Sequence, residues 1–452
     1  MPESIAVVGS GYVGTVVAAC LAHVGHEVVG LEIDEAKCAR LRLGRAPFFE
    51  PGLDPLIEMG LERGNLRFTS DVGDAIGAAD IVFLCVGTPA GDDGRSDVQF
   101  LRHAVESIAE AMDGPKTLVT KSTVPIGSGQ WLQTTLEDAM AGRSQPRIPF
   151  SVVSNPEFLR QGSAVDDFLH PERVVLGSDE SAALELLTEV YGPILDQAFE
   201  GGARRKLPNL VRTGLTTAET VKYAANAFLA MKVSFANEIA NVCELVGADV
   251  AEVADAIGLD GRIGRPFLDA GIGWGGSCFG KDVAELVAAA GDHGYDARLL
   301  RATIEVNRWQ RGLVVRKLRR RLHGLRGRRI GLLGLAFKPD TDDLRDAPAL
   351  DIARWLIEGG ASVVAHDPVV KSLPQVPEVL HVDDAYEAAE RADAVVLVTD
   401  WPQYRALEFD VLLDRMRGRL FVDGRGVFEP EKIVAAGLVF EGIGRSTNSL
   451  VR

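Results

Sequence analysis

The sequence contains few cysteines, no long apolar run and no excess of basic residues. The cysteines are odd in number and widely spaced, at Cys20, Cys38, Cys85, Cys243 and Cys278. This distribution argues against a disulfide framework, and without a Cys-x-x-Cys pair we expect no zinc or other metal site. No stretch reaches the roughly 20 apolar residues that a spanning helix needs, so we expect no membrane partner.

The charge balance excludes another class of partner. The chain has a net charge of −16, and its one basic stretch is RKLRRRLHGLRGRR at 316–329. Nucleic-acid binding needs a basic face, so we expect no nucleic-acid partner and predict that this stretch is a solvated helix surface and linker. The start, MPESIAVVGSGYVG, lacks the basic region and apolar core of a signal peptide, which predicts a cytoplasmic protein.

The first half of the chain alternates between strand-like and helix-like segments. An apolar run at 4–9, a helix-like segment and a second apolar run ending near Glu32 predict a βαβ unit. Further strand candidates follow at 80–87, 117–124 and 150–156. This pattern predicts an open parallel sheet with helices on both faces.

The rest of the chain predicts a helical middle and a second α/β region. The segment 216–248 has helical periodicity without an interior proline, which predicts one long helix, and strand–helix alternation resumes at 328–338. We therefore predict an α/β protein with two Rossmann-like doubly wound domains joined by a central helical domain with one long helix. The predicted domains are residues 1–205, 206–310 and 311–452.

A dinucleotide site is predicted at the first strand–helix turn. Gly9, Gly11 and Gly14 form the GxGxxG motif directly after a strand, where glycines allow a tight turn and close approach of a pyrophosphate. Glu32 ends the second strand and is placed to bind the ribose hydroxyls, with Asp34 as a competitor for that role. A carboxylate there repels a 2′-phosphate, which favours NAD over NADP. Lys37 could contact the adenosine side or simply be solvated.

The second candidate site surrounds Cys278 in GWGGSCFGKD. A ten-residue segment holds five glycines, at Gly271, Gly273, Gly275, Gly276 and Gly280. Glycine allows positive φ and close backbone approach, so this segment predicts a loop that lies against a ligand. A lone cysteine is usually inert core, but the charged neighbours Lys281 and Asp282 are typical of a reactive thiol.

These motifs, taken together and in order, resemble the UDP-glucose/GDP-mannose dehydrogenase family of nucleotide-sugar dehydrogenases. The resemblance extends over nearly the whole chain, through GSGYVG, PFFEPGLD, CVGTP, KSTVPIG, NPEFLRQG, KYAANAF, RIGRPFLDAGIGWGGSCFGKD and LAFKPDTDDLRDAP. It implies NAD-binding, helical dimerisation and nucleotide-sugar-binding roles for the three predicted domains. It also implies a four-electron oxidation of a sugar alcohol to a carboxylate with two NAD per cycle.

The resemblance implies a catalytic set of six residues. Cys278 corresponds to a nucleophile that captures the aldehyde and later carries a thioester. Asp282, with a water held by Thr123, corresponds to the group that moves the first proton. Lys222 and Asn226, one helical turn apart, correspond to residues that face the reacting carbon, and Glu157 to the base or water-positioning group of hydrolysis.

The resemblance also implies binding residues. The cofactor set is Gly9, Gly11, Tyr12, Val13, Gly14, Glu32, Lys37, Thr88, Thr123, Gln161, Lys281 and Arg345. The substrate set is Glu157, Phe158, Leu159, Lys222, Asn226, Arg262, Phe267, Leu268, Gly271, Gly275, Lys338 and Arg425. Within the substrate set, Lys338 and Arg425 would hold the nucleotide end, and Arg262 would reach the diphosphate bound to a partner subunit in a homodimer.

Three positions depart from the family pattern. Gln161 stands where most members have an acid, so it can hydrogen-bond but cannot act as a base. Glu32 replaces the commoner aspartate at the ribose, and Trp274 stands where phenylalanine is usual. The change at Gln161 puts in doubt a detail of NAD contact or of thioester hydrolysis.

The resemblance favours UDP-glucose as substrate and UDP-glucuronate as product. The same chemistry on dTDP-glucose, GDP-mannose or a UDP-N-acetylhexosamine stays open, because loop contacts decide the base and the sugar. A two-electron dehydrogenase with a structural Cys278 is a second alternative. A nucleotide-sugar binding protein without activity is a third.

Overall fold

The fold was described from a computed structural model. Residues 2–89, 91, 94–141, 148–202 and 206–445 are described. The chain divides into two compact units, Met1–Ala225 and Asn226–Arg452. Among the described residues, no helix combines the length and apolar character needed to cross a bilayer.

The first unit is built on a sheet that has eight strands within its described residues. The strands are β1 (Ser4–Val8), β2 (Glu27–Leu31), β3 (Leu66–Thr69), β4 (Ile81–Leu84), β5 (Lys116–Thr120), β6 (Phe150–Ser154), β7 (Arg173–Gly177) and β8 (Asn209–Thr213). Their order is β3-β2-β1-β4-β5-β6-β7-β8, and the strands are parallel except for the β6–β7 pair. The order reverses between β1 and β4, where doubly wound sheets bind ligands at the carboxyl ends of their strands.

Helices cover both faces of this sheet. They are α1 (Tyr12–His23), α2 (Glu35–Arg42), α3 (Leu53–Arg63), α4 (Val72–Gly77), α5 (Gln99–Ala111), α6 (Ser128–Ala141), α7 (Ala164–Leu169), α8 (Ser181–Val190) and α9 (Gly192–Leu195). Two apolar clusters result, one containing Val7 and Phe83 and the other Ala6 and Val82. Because adjacent residues of one strand are buried on opposite faces, these strands have continuous apolar sequences.

A long helix, α10 (Leu215–Val246), carries the chain from the first unit into the second. Its 32 residues agree closely with the helix predicted at 216–248. At about 1.5 Å per residue it is about 48 Å long. It ends at Gly247, whose φ of 79° lies in the left-handed region that terminates many helices.

The second unit continues with four helices and then a second parallel sheet. The helices are α11 (Val250–Gly258), α12 (Phe279–Asp292), α13 (Arg298–Arg311) and α14 (Leu313–Arg321). The strands are β9 (Arg329–Leu333), β10 (Ser362–His366), β11 (Leu380–His381), β12 (Ala394–Leu397), β13 (Leu420–Asp423) and β14 (Val439–Glu441). Their order is β11-β10-β9-β12-β13-β14. The remaining helices are α15 (Pro348–Glu358), α16 (Ala385–Ala388), a 3₁₀ helix (Pro402–Ala406), α17 (Phe409–Arg415) and α18 (Pro430–Ala435).

The basic stretch at 316–329 differs from its prediction as a solvated surface. Lys317 on α14 is buried, and its Nζ lies 2.8 Å from Glu244 Oε2 and 3.4 Å from Glu441 Oε2. Arg321 also pairs with Glu441. The prediction was wrong for Lys317, whose charge is compensated by carboxylates distant in sequence, whereas Arg321 lies on the exposed surface as predicted.

The predicted fold class is confirmed by the two sheets and the helices between them. The three-domain division stays a prediction, and its boundary at residue 205 lies outside the described residues.

Candidate active site

Two glycines of the first strand–helix turn, Gly9 and Gly14, are required by the backbone around them. Gly9 has a φ of 91°, and a Cβ there would lie 3.0 Å from the backbone of Val86. A Cβ on Gly14 would lie 1.8 Å from the carbonyl oxygen of Gly9. Gly11 begins α1 without a side-chain cap, so the amides of Tyr12 and Val13 open a helix whose first donors suit a phosphate.

The acid after β2 is suited to the ribose, and its competitor has another role. Glu32 is buried, and its Oε1 accepts a hydrogen bond from the amide of Asp34. Asp34 accepts from the amides of Ala36 and Lys37 and so caps helix α2. The Lys37 ammonium lies 4.0 Å from Asp34 on the exposed surface. These contacts favour Glu32 over Asp34 as the ribose ligand.

Glu50 is a buried residue of this region that the sequence interpretation did not single out. Its carboxylate accepts from the Tyr12 hydroxyl, from the amide of Gly162 at 2.6 Å and from the amide of Ala164 at 2.7 Å. Burial and the Glu50 carboxylate raise the pKa of Tyr12. Glu50 therefore joins the glycine turn to the backbone directly after Gln161. The sequence signal that could have identified Glu50 is its position between an aromatic residue and a proline in PFFEPGLD.

Thr88 and Thr123 meet at the carboxyl ends of β4 and β5. The Thr88 hydroxyl donates to the carbonyl oxygen of Thr123 at 2.7 Å. Thr88 is buried and Thr123 is half-buried. This hydrogen bond occupies the carbonyl of Thr123 and not its hydroxyl. The role of that hydroxyl in holding a water stays a prediction.

Glu157 and Lys222 form a buried ion pair in the first unit. Lys222 Nζ donates to Glu157 Oε1 and to the Glu157 carbonyl oxygen, each at 2.7 Å. Glu157 Oε2 accepts from the amide of Leu159 at 2.6 Å. Phe158 packs its ring against the guanidinium of Arg173 at 4.0 Å and lies 5.6 Å from Lys222 Nζ. The structure thus brings together four residues of the predicted substrate set.

Cys278 differs from the other cysteines of the chain. It is exposed and forms the N-cap of α12, with its Sγ 3.7 Å from the Ser277 hydroxyl. Cys20, Cys38, Cys85 and Cys243 are buried, and burial raises the pKa of each of these thiols. A helix N-terminus favours negative charge, so Cys278 combines access with a setting suited to a thiolate.

Asp282 lies one turn after Cys278 and is almost completely buried. Its Oδ2 accepts from the Asn226 amide at 2.6 Å, and its Oδ1 lies 2.9 Å from Lys281 Nζ. Residues four apart lie on one face of a helix, and the amide of Asp282 donates to the Cys278 carbonyl oxygen at 2.8 Å. Asn226, Lys281 and Asp282 are therefore brought together within the second unit.

The glycine loop before Cys278 is held by polar side chains of α10 and α13. Gly271 donates its amide to Asn237 and accepts from Gln310, both at 2.7 Å. Asn307 bonds both the amide and the carbonyl of Trp274. The sequence interpretation missed these three amide side chains, because polar residues on a helix also suit a solvated face. A Cβ on Gly275 would lie 2.3 Å from the Asp346 carbonyl oxygen, so the loop has no room for a larger residue there.

The predicted cations of the second unit lie beside this loop. Arg425 Nε donates to the Val398 carbonyl at 2.6 Å, and its Nη1 lies 3.4 Å from the Gly273 carbonyl. Burial lowers the pKa of Arg425. Lys338 Nζ lies 5.8 Å from the ring of Phe337, whose carbonyl oxygen is 3.4 Å from Arg425 Nη2.

Arg345 is held by a neighbouring acid. Its Nη2 donates to Asp343 Oδ2 at 2.6 Å, and this hydrogen bond raises the pKa of Arg345. The charge of Arg345 also interacts with Cys278. Arg345 is therefore a cation that acts on the Cys278 thiol. The sequence predicted Arg345 only as a residue that binds NAD.

The remaining predicted substrate residues are spread along the loop after α11. Phe267 has a φ of 67°, which is rare for a side chain of this size, and Leu268 is buried. Arg262 is 89% exposed and pairs with Asp260 at 2.6 Å. The role of Arg262 at the diphosphate bound to a partner subunit stays a prediction.

The chain matches three family models in the expected order. Residues 3–195 match the NAD binding domain of the UDP-glucose/GDP-mannose dehydrogenase family, 216–309 its central domain and 331–430 its UDP binding domain. UDP-glucose 6-dehydrogenase TuaD of Bacillus subtilis is 44% identical over 98% of this chain and 93% of its own.

Solved structures agree with this result. A UDP-glucose dehydrogenase from Pyrobaculum islandicum has a TM-score of 0.89 and 37% identity, covering 99% of this chain and 98% of that one. A UDP-D-ManNAc dehydrogenase from Pyrococcus horikoshii has a TM-score of 0.85 and 28% identity, covering 98% and 99%. The glycine turn and Glu32 fit the NAD that the matched first domain binds. The chain therefore belongs to the UDP-glucose/GDP-mannose dehydrogenase family.

Proposed function

We propose that the protein oxidises UDP-glucose to UDP-glucuronate with two NAD, and that Cys278 carries the intermediates of the second oxidation. The observation that carries the proposal is the exposure of this one thiol among the five cysteines of the chain. Its position at the N-terminus of α12, beside a buried Asp282, suits a nucleophile rather than a structural residue. The similarity to UDP-glucose dehydrogenases over the whole length supports the choice of substrate.

The first oxidation converts the sugar CH₂OH to an aldehyde. NAD, when bound, accepts one hydride in each of the two oxidations. The alcohol proton leaves through Asp282 and a water held by Thr123. Asn226, which donates to Asp282 in the structure, holds that carboxylate in place.

The second oxidation takes place on sulfur. The Cys278 thiolate adds to the aldehyde carbon, forming a C–S bond and an alkoxide that is protonated to a thiohemiacetal. Loss of a hydride and a proton from this adduct leaves a thioester. The ammonium of Lys222 stabilises the negative oxygen that develops at this carbon.

Hydrolysis releases the acid. A water adds to the thioester carbonyl, the C–S bond breaks, and the Cys278 thiolate and a carboxylate are formed. Glu157 is the candidate to orient this water, and its contacts with Lys222 and Leu159 hold its carboxylate in one geometry. Gln161 lies four residues further on and can hydrogen-bond but cannot serve as a base.

The substrate assignment is tested with a panel of nucleotide sugars and a measurement of NADH per product. We expect turnover with UDP-glucose and two NADH per acid. Faster turnover with dTDP-glucose, GDP-mannose or a UDP-N-acetylhexosamine would overturn the choice of sugar but keep the chemistry. One NADH per product, with Cys278→Ala still active, would favour a two-electron dehydrogenase instead. No turnover with any sugar, despite binding, would favour a binding protein.

We also propose that the protein forms a homodimer through the central region. Three side chains spaced seven residues apart on α10, Phe228, Phe235 and Val242, are exposed, and Leu245 near the helix end is 86% exposed. Residues seven apart lie on one face of a helix, so these side chains form an apolar stripe of the kind that marks interfaces. Arg262 is also exposed and suits a role across the dimer.

The dimer is tested by sedimentation of Phe235→Glu. We expect this variant to sediment as a monomer, because a carboxylate in an apolar interface would be desolvated. Phe100→Glu is the matched control, since Phe100 is equally exposed but lies on α5 in the first unit. A dimer that survives Phe235→Glu would reject this interface. The predicted cytoplasmic location belongs to the same proposal and is tested by fractionating cells that express the tagged chain.

A further inference from the structure

A buried lysine lies between the two strand ends that carry Thr123 and Glu157. Lys121 directly follows β5, and Asn155 directly follows the neighbouring β6. The two strands are parallel, with Thr120 paired to Ser154, so Lys121 and Asn155 occupy the next position of the register. Each stands two residues before one of the predicted catalytic residues.

The Lys121 ammonium is a centre of hydrogen bonds rather than of ion pairs. Its Nζ donates to Asn155 Oδ1 at 3.0 Å and to the Tyr191 hydroxyl at 3.2 Å. Tyr191 in turn donates to the same Asn155 oxygen at 2.6 Å, and Asn155 donates to the Val175 carbonyl at 2.9 Å. Both of these acceptors, an amide oxygen and a hydroxyl, are uncharged.

The surroundings of Lys121 are otherwise apolar. Its side chain is 5% exposed, and the rings of Phe168 and Tyr191 each lie 5.6 Å from Nζ. Burying an ammonium without a carboxylate costs free energy, and methionine would fill this space without that cost. A role beyond packing explains why a lysine stands here.

We infer that Lys121 is a positioning residue: its ammonium, through Asn155 and Tyr191, holds the loop of Glu157 in the geometry that hydrolysis of the Cys278 thioester needs. This inference rests on the proposed function. The ammonium acts at two levels. It orients Asn155 at the start of the loop, and it attracts the Glu157 carboxylate, with which it interacts electrostatically.

The position also makes hydrolysis depend on pH. Burial lowers the pKa of Lys121 from 10.5 to about 8, although the charges of Glu157 and Cys85 oppose this change and that of Lys222 adds to it. Cys85 and Tyr191 do not change charge near this pH, because burial raises the pKa of Cys85 to about 12 and that of Tyr191 further. Above pH 8 the amine is neutral, so the attraction for Glu157 is lost.

The test uses Lys121→Met in the full chain, with UDP-glucose and NAD. We expect kcat to fall about tenfold with KM for UDP-glucose changed less than about threefold, because the loss affects a step after binding. Mass spectrometry of the intact protein during turnover should show acylated Cys278 accumulating. The fall in wild-type kcat near pH 8 should be absent from the Lys121→Met profile.

Two further variants keep the test decisive. Lys116→Met removes another buried lysine from the opposite end of the same strand, where Nζ donates to the Ala79 carbonyl. It should keep the wild-type kcat and pH profile. Tyr191→Phe removes one acceptor from the ammonium, so its alkaline fall in kcat should move to lower pH. This holds even if Lys121→Met does not fold. Identical profiles for Tyr191→Phe and wild type would overturn the inference.

Failure of this inference is distinguishable from failure of the proposed function. If Glu157→Gln accumulates acylated Cys278 but Lys121→Met does not, the role of Lys121 is rejected and the mechanism stands. If neither variant nor the wild type ever acylates Cys278, the proposed function itself is rejected.

Discussion

Each of the two sheets of this protein has a buried acid directly after one of its strands, but the surroundings of the two acids differ. In the first sheet, β1 ends in a glycine turn and β2 is followed by Glu32. In the second sheet, β9 is followed by Gly334 and β10 by Asp367. Both acids are buried, and each follows the strand that neighbours the first strand of its sheet. Their surroundings decide what they do.

The carboxylate of Asp367 accepts five hydrogen bonds from groups of its own chain. One carboxylate oxygen accepts from the amides of Leu335 and Ala336 and from the Trp401 indole, and the other accepts from the amides of Val369 and Val370. The amides after β9 are therefore already bonded within the protein. Glu32 accepts one short-range bond, from Asp34, and α1 begins at Gly11 without a side-chain cap. The two acids therefore differ in how many donors of their own chain they accept from.

Among the substitutions that test this comparison, Gly14→Ala should have the largest effect, a rise in KM for NAD. The new Cβ would overlap the Gly9 carbonyl at 1.8 Å, so the turn must open and the first amides of α1 must move. We expect KM for NAD to rise at least about 100-fold, because pyrophosphate binding depends on this backbone geometry. Steady-state kinetics with varied NAD measures the change.

Gly11→Ala is the matched control for this experiment, since nothing lies within 4 Å of a Cβ at that position. Its effect on folding should be small, and thermal unfolding of both variants separates lost binding from lost structure. Equal KM values for Gly14→Ala and wild type would contradict the assignment of the turn to NAD.

Asp367→Asn should reduce stability without a special effect on NAD. Whichever oxygen becomes an amide NH₂ then faces amide donors instead of accepting from them. Loss of two or three such bonds should lower the free energy of unfolding by about 3 kcal/mol. Urea unfolding gives this value, and Glu32→Gln under the same conditions should change stability by less than about 1 kcal/mol. If Asp367→Asn and Glu32→Gln lowered the free energy of unfolding equally, the proposed difference between the two acids would be rejected.

Lys121 adds a pH-dependent prediction, because it is a buried cation at the strand ends of the first sheet. The folded-state pKa of Lys121 is about 8 and its ordinary value is 10.5. Between these values the unfolded chain holds the proton and the folded protein does not, so this group makes stability rise with pH. The free energy of unfolding of wild type, relative to Lys121→Met, should increase by about 3 kcal/mol from pH 8 to 10.5. A difference that is constant with pH would show that Lys121 does not titrate in this window.

Glu32→Gln should give the smallest effect. The amide can still bond a ribose hydroxyl but no longer repels a 2′-phosphate, so KM for NAD should rise about tenfold and the preference over NADP should narrow. Kinetics with both cofactors measures the ratio. If Glu32→Gln left the preference for NAD over NADP unchanged, another residue would set that preference, and Asp34 would be the first to test.

Local patterns predicted much of the fold and part of the site. The spacing of Gly9, Gly11 and Gly14 predicted a turn between a strand and a helix, and the structure has that turn between β1 and α1. The long helix was predictable because apolar periodicity is a local property, and its observed range agrees with the prediction. Glu50, Lys121 and Asn307 were not found, because each bonds groups 30 or more residues away and a polar residue seen alone also suits the surface.

The sequence by itself determined the two α/β regions, the glycine turn, the acid after β2 and the glycine-rich loop that carries Cys278. These follow from spacing, strand and helix propensity and the permissiveness of glycine. Only the tertiary structure decided which buried charges are compensated and by what. Glu32 and Asp367 look alike in sequence, but Glu32 accepts from the amide of Asp34 whereas Asp367 accepts from five donors of its own chain. The difference arises because strand ends gather groups that lie far apart in the chain, and the donors present there decide whether an acid binds a ligand or stabilises the fold.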